Sequence, residues 1–175
     1  MASCGSALDT LVTDHPVKVL PLVLDTCQML EPSPRALALL KSCPNLRAAI
    51  VGSIERGRGG GLWAEGEERV EAPLVWAAVS CLPYLGGGKG EATLAKGLAS
   101  ALLVRLGEEE AEEGSRKMLD FLVGSTLRVY TSMAGRLGEA AVVGEVGFYT
   151  EAARQRVRSA HVVGAVGEYL ETVHR

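Results

Sequence analysis

The residues of this chain with the richest chemistry are its four cysteines and three histidines. They are Cys4, Cys27, Cys43, Cys81, His15, His161 and His174. A zinc site needs closely spaced pairs of these ligands, and no C-x-x-C occurs in the chain. The spacing therefore predicts no metal and no cofactor. We expect the thiols to be reduced and mostly buried, as in cytoplasmic or nuclear proteins.

The sequence contains the residue types of a nucleophile and base pair, but their spacing does not bring them together. Asp14 and His15 would supply the carboxylate and base, and Cys4 or Cys27 the nucleophile. His15 precedes Pro16 at a predicted turn, where a solvated or capping histidine is the simpler interpretation. The sequence predicts no catalytic residue, and the chain is interpreted as a protein that is not an enzyme.

The segment GGGKGEAT resembles a phosphate-binding loop at first sight. That loop has the pattern G-x-x-x-x-G-K-[ST] after a strand. Here Pro83 takes the first position, and Gly90 replaces the hydroxyl residue after Lys89. A helix also precedes the segment in our interpretation. These departures predict that no nucleotide binds there.

The charge pattern favours a protein partner over a nucleic acid. The net charge is −3 and the estimated pI is about 5.7, so no general basic surface is expected. The dense basic run RQRVRS contains Arg154, Arg156 and Arg158. It is either a solvated helix face or a socket for an acidic segment or a phosphate. We take these three arginines as candidate partner-binding residues.

The elements that must position these residues are helices separated by proline and glycine. Apolar residues recur at helical spacing along most of the chain, and no apolar run is long enough to cross a membrane. We expect a single all-α domain over 1–175, built from about seven to nine helices as stacked pairs or a compact bundle. A flexible glycine-rich loop is predicted at 57–66. Trp63 in that loop is either a lid on a neighbouring helix or an exposed partner anchor.

A doubled phrase marks the C-terminal part of the chain. VVGEVGFYTE begins at Val142, and VVGAVGEYLE begins at Val162, with seven of ten positions identical. In helical form, Val162, Val166 and Tyr169 form one apolar stripe, as do their counterparts in the first copy. The glycines collect opposite that stripe; they are Gly144, Gly147, Gly164 and Gly167.

These glycines predict close helix contacts. Glycine costs a helix about 1 kcal/mol relative to alanine, and a neighbouring backbone close to that face would compensate. The Val-Val-Gly pattern also has strand propensity, so 141–150 could be a strand, although its helical flanks favour two packed helices. Self-association through the glycine faces is a further alternative.

The segment from Pro73 to Gly107 resembles part of an armadillo or HEAT repeat. In armadillo repeats a Trp-Ala-Leu-Ser-Asn-Leu phrase is followed by a glycine-containing turn and another helix. Residues 78–82 align with the end of that phrase, with Trp76 one residue out of place and Cys81 replacing the asparagine. The resemblance implies stacked helix pairs that bind a protein partner. The lost asparagine removes the residue with which the family clamps extended peptides.

Together these patterns predict a non-enzymatic interaction module or scaffold subunit in the cytoplasm or nucleus. It would bind a partner helix or peptide along a groove between helices. The alternative is a small-ligand-binding or enzymatic bundle, with an internal pocket lined by Tyr130, Tyr149 and His161.

Overall fold

The computed structural model describes residues 2–15, 18–23, 34–86, 88–108, 113–137 and 160–173. Within these ranges the regular elements are helices, which confirms the all-α prediction. Seven α-helices have defined bounds: α1 (Ala2–Asp14), α2 (Pro34–Lys41), α3 (Pro44–Arg58), α4 (Ala72–Cys81), α5 (Lys89–Glu108), α6 (Glu113–Leu137) and α7 (Ala160–Val173). Residues 18–23 are also helical, and short 3₁₀ turns cover Gly66–Glu68 and Leu82–Tyr84.

The chain divides into two compact units, Met1–Gly87 and Gly88–Arg175. In the first unit, α3 packs against α1, α2 and α4. Its buried face carries Leu46, Ile50 and Ile54, one helical turn apart. The sequence predicts a single domain over 1–175. The division into two compact units does not test that prediction.

Helix α4 is the most apolar element of the first unit. Residues 77–81 are all buried, together with Leu74 and Val75. The sequence pattern predicts a mostly buried helix here because its apolar residues lie on more than one side, and the structure confirms it. Cys81 in α4 and Cys43 before α3 are both buried thiols.

The first turn of α3 is capped by a residue from another helix. Cys43 at the N-cap position makes no side-chain cap, and Pro44 begins the helix. The Oδ1 atom of Asp9 in α1 instead accepts hydrogen bonds from the backbone N–H groups of Asn45, at 3.0 Å, and Leu46, at 3.3 Å. A carboxylate at a helix N-terminus satisfies amides that the helix itself leaves unpaired.

The glycine-rich segment is shorter than predicted. Helix α3 continues through Gly57 and Arg58, so the predicted loop at 57–66 begins two residues too early. The helix continues because Gly57 lies on its buried face, three residues after Ile54, and Arg58 forms a 2.7 Å ion pair with Glu55.

Backbone hydrogen bonds organise the segment between α3 and α4. The N–H of Gly61 donates to the carbonyl of Arg56 at 2.8 Å, and the N–H of Val70 donates to the carbonyl of Gly61 at 2.9 Å. A Cβ atom at Gly61 would lie 2.7 Å from the Arg56 oxygen and 2.9 Å from the Glu68 oxygen. Only glycine fits between these two backbone segments.

The second unit is built around α6, which packs against both α5 and α7. The residues from Leu122 to Leu127 are all buried, as expected for a helix covered by two neighbours. Helix α7 buries Val162, Val166 and Tyr169, which confirms the apolar stripe predicted from the second copy of the doubled phrase.

Candidate functional site

Several sequence-predicted site residues lie outside the described residues. They are Arg154, Arg156 and Arg158, with Gly144, Gly147 and Tyr149 of the first repeat copy. Residues 141–150, for which the sequence leaves both helix and strand open, also lie outside the described residues. Trp63 is described: it lies half-buried in the turn after α3, where its backbone N–H donates to the carbonyl of Gly60 at 3.0 Å.

Among the described residues, the two glycines of α7 do not lie against the backbone of another helix. A Cβ atom at Gly164 would first meet the Nη2 atom of Arg128, at 3.6 Å. A Cβ atom at Gly167 would meet nothing within 4 Å in the described part of the chain. The predicted backbone contact is therefore not present at either glycine among the described residues, and for the first repeat copy it stays a prediction.

The close helix contact occurs instead at glycines of α6. A Cβ atom at Gly124 would lie 2.7 Å from Nε2 and 3.2 Å from Cγ of His161 in α7. A Cβ atom at Gly135 would lie 3.4 Å from Cγ2 of Thr172. These two glycines are eleven residues apart, or three helical turns, and so share one face of α6. The missing side chain at Gly124 makes room for the His161 ring.

An arginine of α6 joins the two helices beside that ring. The Nε atom of Arg128 lies 3.0 Å from Oε2 of Glu168 in α7, and its Nη2 donates to Oε1 at 3.2 Å. The Nη1 atom lies 3.1 Å from Nδ1 and 3.3 Å from Nε2 of His161. Because arginine can only donate, the imidazole nitrogen that it contacts is an acceptor.

An aromatic side chain completes this group. The ring of Phe121 stacks on His161, with centroids 5.8 Å apart and planes 9° apart. Phe121 is 46% exposed, so part of its ring faces solvent beside the imidazole. We call Phe121, Arg128, His161 and Glu168 the seam cluster, since they lie along the seam between α6 and α7.

The seam cluster combines an imidazole, a carboxylate-bound guanidinium and an exposed aromatic ring. The Nη1 atom of Arg128 lies within hydrogen-bond distance of both His161 nitrogens, and the one without a hydrogen can accept from it. The guanidinium binds a carboxylate through two of its nitrogens, a geometry that fixes orientation as well as charge. An exposed aromatic ring beside it provides apolar contact area.

The predicted lining residues of an internal pocket take part in two different contacts. Tyr130 of α6 is buried and stacks on Tyr169 of α7, with centroids 5.8 Å apart. His161 stacks instead on Phe121 near the surface. Each ring thus fills space between the two helices, which is the packing role of aromatic residues in a core.

The segment that resembles a phosphate loop ends at a helix that is already capped. Oε2 of Glu91 accepts a hydrogen bond from the backbone N–H of Gly88 at 3.1 Å, and Glu91 is buried. A phosphate would bind to the N–H groups at this helix N-terminus. The Glu91 carboxylate already binds one of these N–H groups, that of Gly88, and its charge would repel a phosphate there.

The described residues contain no group of His, Cys, Asp or Glu side chains that could hold a metal ion. None of the helices in these ranges combines the length and apolar character that crossing a bilayer requires. Comparisons with protein-family models, curated proteins and solved structures found no match to this chain.

The seam cluster could not be identified from the sequence. Arg128 and Glu168 are forty residues apart, and their pairing depends on how α6 and α7 are aligned. The available signal was the pair Gly124 and Gly135, which lie on one face of a long helix that carries both apolar and charged residues. Such glycines indicate the side on which a second helix packs closely.

Proposed function

We propose that this chain is a non-enzymatic protein–protein interaction module, a subunit that binds a partner helix or peptide beside the seam between α6 and α7. The observation that carries this proposal is the position of Phe121. Nearly half of its surface is exposed, yet the ring is held against His161. A partner that covers it gains apolar burial and loses little entropy in ordering the side chain.

The composition of the seam cluster supports the same function. Aromatic residues and arginine are enriched among residues that dominate the binding energy of interfaces. Arg128 is held by Glu168 and His161, so its guanidinium is already oriented on the surface. The armadillo- or HEAT-like arrangement remains part of this proposal, as do Trp63 and the three arginines of the basic run as further contacts.

A cytoplasmic or nuclear location is proposed with it. Cys43 and Cys81 are buried thiols, as is usual where the cell keeps cysteines reduced. The enzymatic alternative is not proposed, because Arg128 lies within hydrogen-bond distance of both His161 nitrogens and competes with a substrate for the nitrogen that a general base would use.

Affinity purification of the full chain tests the proposal. The tagged protein and its Phe121→Ser variant are purified from cells, and the bound proteins are identified by mass spectrometry. Val104→Ser is the matched control, since Val104 is 44% exposed on α5 of the same unit. We expect a defined set of partners that Phe121→Ser loses and Val104→Ser keeps. Recovery of the same proteins with Phe121→Ser would contradict the proposed surface.

Self-association is the second candidate function. On α7, a Cβ atom at Gly167 would meet no described residue within 4 Å, and Val163, one turn before it, is 54% exposed. A second copy could approach this side closely, since small residues permit short distances between helices. Sedimentation equilibrium over a wide concentration range tests this candidate, and a strictly monomeric protein would exclude it.

A further inference from the structure

Helix α1 makes few contacts of its own with the first unit. Among its described side chains, those of residues 6–14, only Val12 is buried, while Leu8 and Asp9 are half-buried. Leu8 and Asp9 precede Val12 by four and three residues, so these side chains share one face of the helix. Leu11 lies on another side and is 49% exposed. The described apolar contact of α1 therefore depends mainly on one side chain.

The parts of the chain next to α1 are buried far more deeply. Helix α3, against which α1 packs, also packs against α2 and α4. Its residues Leu46, Ile50 and Ile54 are each 0% exposed. Val19 and Leu20, which follow α1 in the chain, are buried as well. Separation of α1 would leave the packing of α3 against α4 in place, and such weakly held elements open before a domain unfolds.

The sequence of α1 makes a poor helix in isolation. The helix has 13 residues, a length at which isolated helices are marginal in water. Its sequence ASCGSALDTLVTD contains a glycine and four serine or threonine residues, which all have low helix propensity. The hydroxyls of Thr10 and Thr13 donate to carbonyls four residues earlier, a bond that slightly destabilises helices. The helical form of α1 therefore depends on its packing against α3.

A junction between two helices follows α1 at His15. The N–H of His15 donates to the carbonyl of Leu11 at 2.9 Å and closes the last turn of α1. The carbonyl of His15 accepts from the N–H groups of Lys18 and Val19, at 3.1 and 3.0 Å, and begins the next helix. The residue before a proline avoids the helical conformation. A change of backbone angles at His15 can therefore move α1 while residues 18–23 keep their place.

We infer that α1 is a hinged cover, which opens from α3 while the rest of the first unit stays folded, and that Asp9 holds it closed. The carboxylate of Asp9 accepts the N–H groups of Asn45 and Leu46, at 3.0 and 3.3 Å, only when α1 is packed. Opening exposes these amides of α3 and the side chain of Val12. The device lies in the first unit and is independent of the function proposed for the seam.

Thiol labelling of the full chain measures this opening. Val12→Cys places a thiol of similar size at the buried position, and iodoacetamide reacts with a thiol only when it is exposed. Cys81 of α4 is 2% exposed and is the internal control in the same molecule. Mass spectrometry follows labelling at each site. We expect the thiol at position 12 to react at least about tenfold faster than Cys81. Equal rates would mean that α1 opens only when the unit unfolds, and the inference would be wrong.

Two charge-removing substitutions in the Val12→Cys chain test the role of Asp9. Asp9→Ala removes the carboxylate that caps α3, so labelling at position 12 should become about fivefold faster. Asp14→Ala removes the same charge from an exposed position of the same helix and should not speed the labelling. No acceleration with Asp9→Ala, or equal acceleration with both, would contradict the role of Asp9.

A substitution in α4 separates local opening from unfolding of the unit. Val75 is 0% exposed, and Val75→Ala weakens the core in the closed and the open state alike. It should speed the labelling of Cys81 about tenfold and leave that of position 12 unchanged. An equal rise at both thiols would overturn the inference. If Val12→Cys lowers the helical circular-dichroism signal, Leu8→Cys on the same face replaces it, with the same expected results.

Discussion

Replacing Gly124 with alanine places a methyl group where the His161 ring lies. The new carbon would be 2.7 Å from Nε2, closer than Cβ atoms approach other heavy atoms in folded proteins, and 3.2 Å from Cγ of that ring. The ring cannot simply turn aside, because Phe121 stacks on it and Arg128 contacts both of its nitrogens. Alanine at this position must therefore disturb the seam cluster.

The expected magnitude is the balance of opposing terms. Alanine in place of glycine in a helix interior contributes about 1 kcal/mol of stability. Overpacking costs about 1 to 3 kcal/mol. Displacing the ring also loses part of a hydrogen bond to a charged group and of an aromatic stack, each worth about 1 kcal/mol at a half-exposed site. We expect Gly124→Ala to lower the free energy of unfolding by about 2 kcal/mol, and the melting temperature by roughly 5 °C.

Urea denaturation followed by far-ultraviolet circular dichroism measures this change. His161→Ala removes the obstacle, so in that background Gly124→Ala should be neutral or stabilising by up to about 1 kcal/mol. Gly167→Ala is the matched control in the neighbouring helix, because a Cβ atom there meets nothing within 4 Å in the described residues. It should stabilise the protein. A loss with Gly124→Ala that is just as large in the His161→Ala background would refute the reasoning.

Single contacts predict three further changes in stability. Asp9→Ala should cost about 1 kcal/mol in urea denaturation because α3 loses its cap, whereas Asp9→Asn, which keeps an acceptor, should cost less. Gly61→Ala should cost about 2 kcal/mol or more because its Cβ meets two backbone oxygens, whereas Gly52→Ala, with open space in α3, should raise the melting temperature. Thr126→Val should stabilise the protein by about 1 kcal/mol, because the buried Oγ1 of Thr126 has no hydrogen-bond partner among the described residues. Thr131→Val is the control and should not stabilise it, since the Oγ1 of Thr131 donates to the carbonyl of Leu127 at 2.8 Å. A gain in stability with Thr131→Val would contradict the explanation.

The helical character of the chain could be predicted because it depends on local pattern. The apolar residues predict a buried helix from about Glu67, which the structure has over Ala72–Cys81, and the stripe of Val162 and Tyr169 on α7. The missing hydroxyl after Lys89 argues against a phosphate loop from the sequence alone. Each of these conclusions uses residues within a few turns of one another.

The seam cluster depends on contacts between distant residues, and composition misleads at two places. A run of glycines indicates a loop, yet Gly57 continues α3 because it is buried beside Ile54. The glycines of α7 predict a close contact with a neighbouring helix. The close contact instead lies at Gly124 of α6, which faces the His161 ring. The role of a glycine in a helix depends on which group of the neighbouring helix it faces. That group is determined by the register in which the two helices pack.

The N-termini of two helices in this protein are capped by side chains at very different distances along the chain. The N–H of Gly88 is bound by Glu91, three residues away, so that turn can form as soon as its own segment becomes helical. The N–H groups of Asn45 and Leu46 donate to Asp9, which reaches them only when α1 packs against α3. Amide hydrogen exchange at these two positions should therefore track undocking of that helix, and give a local readout of cooperativity within the first unit.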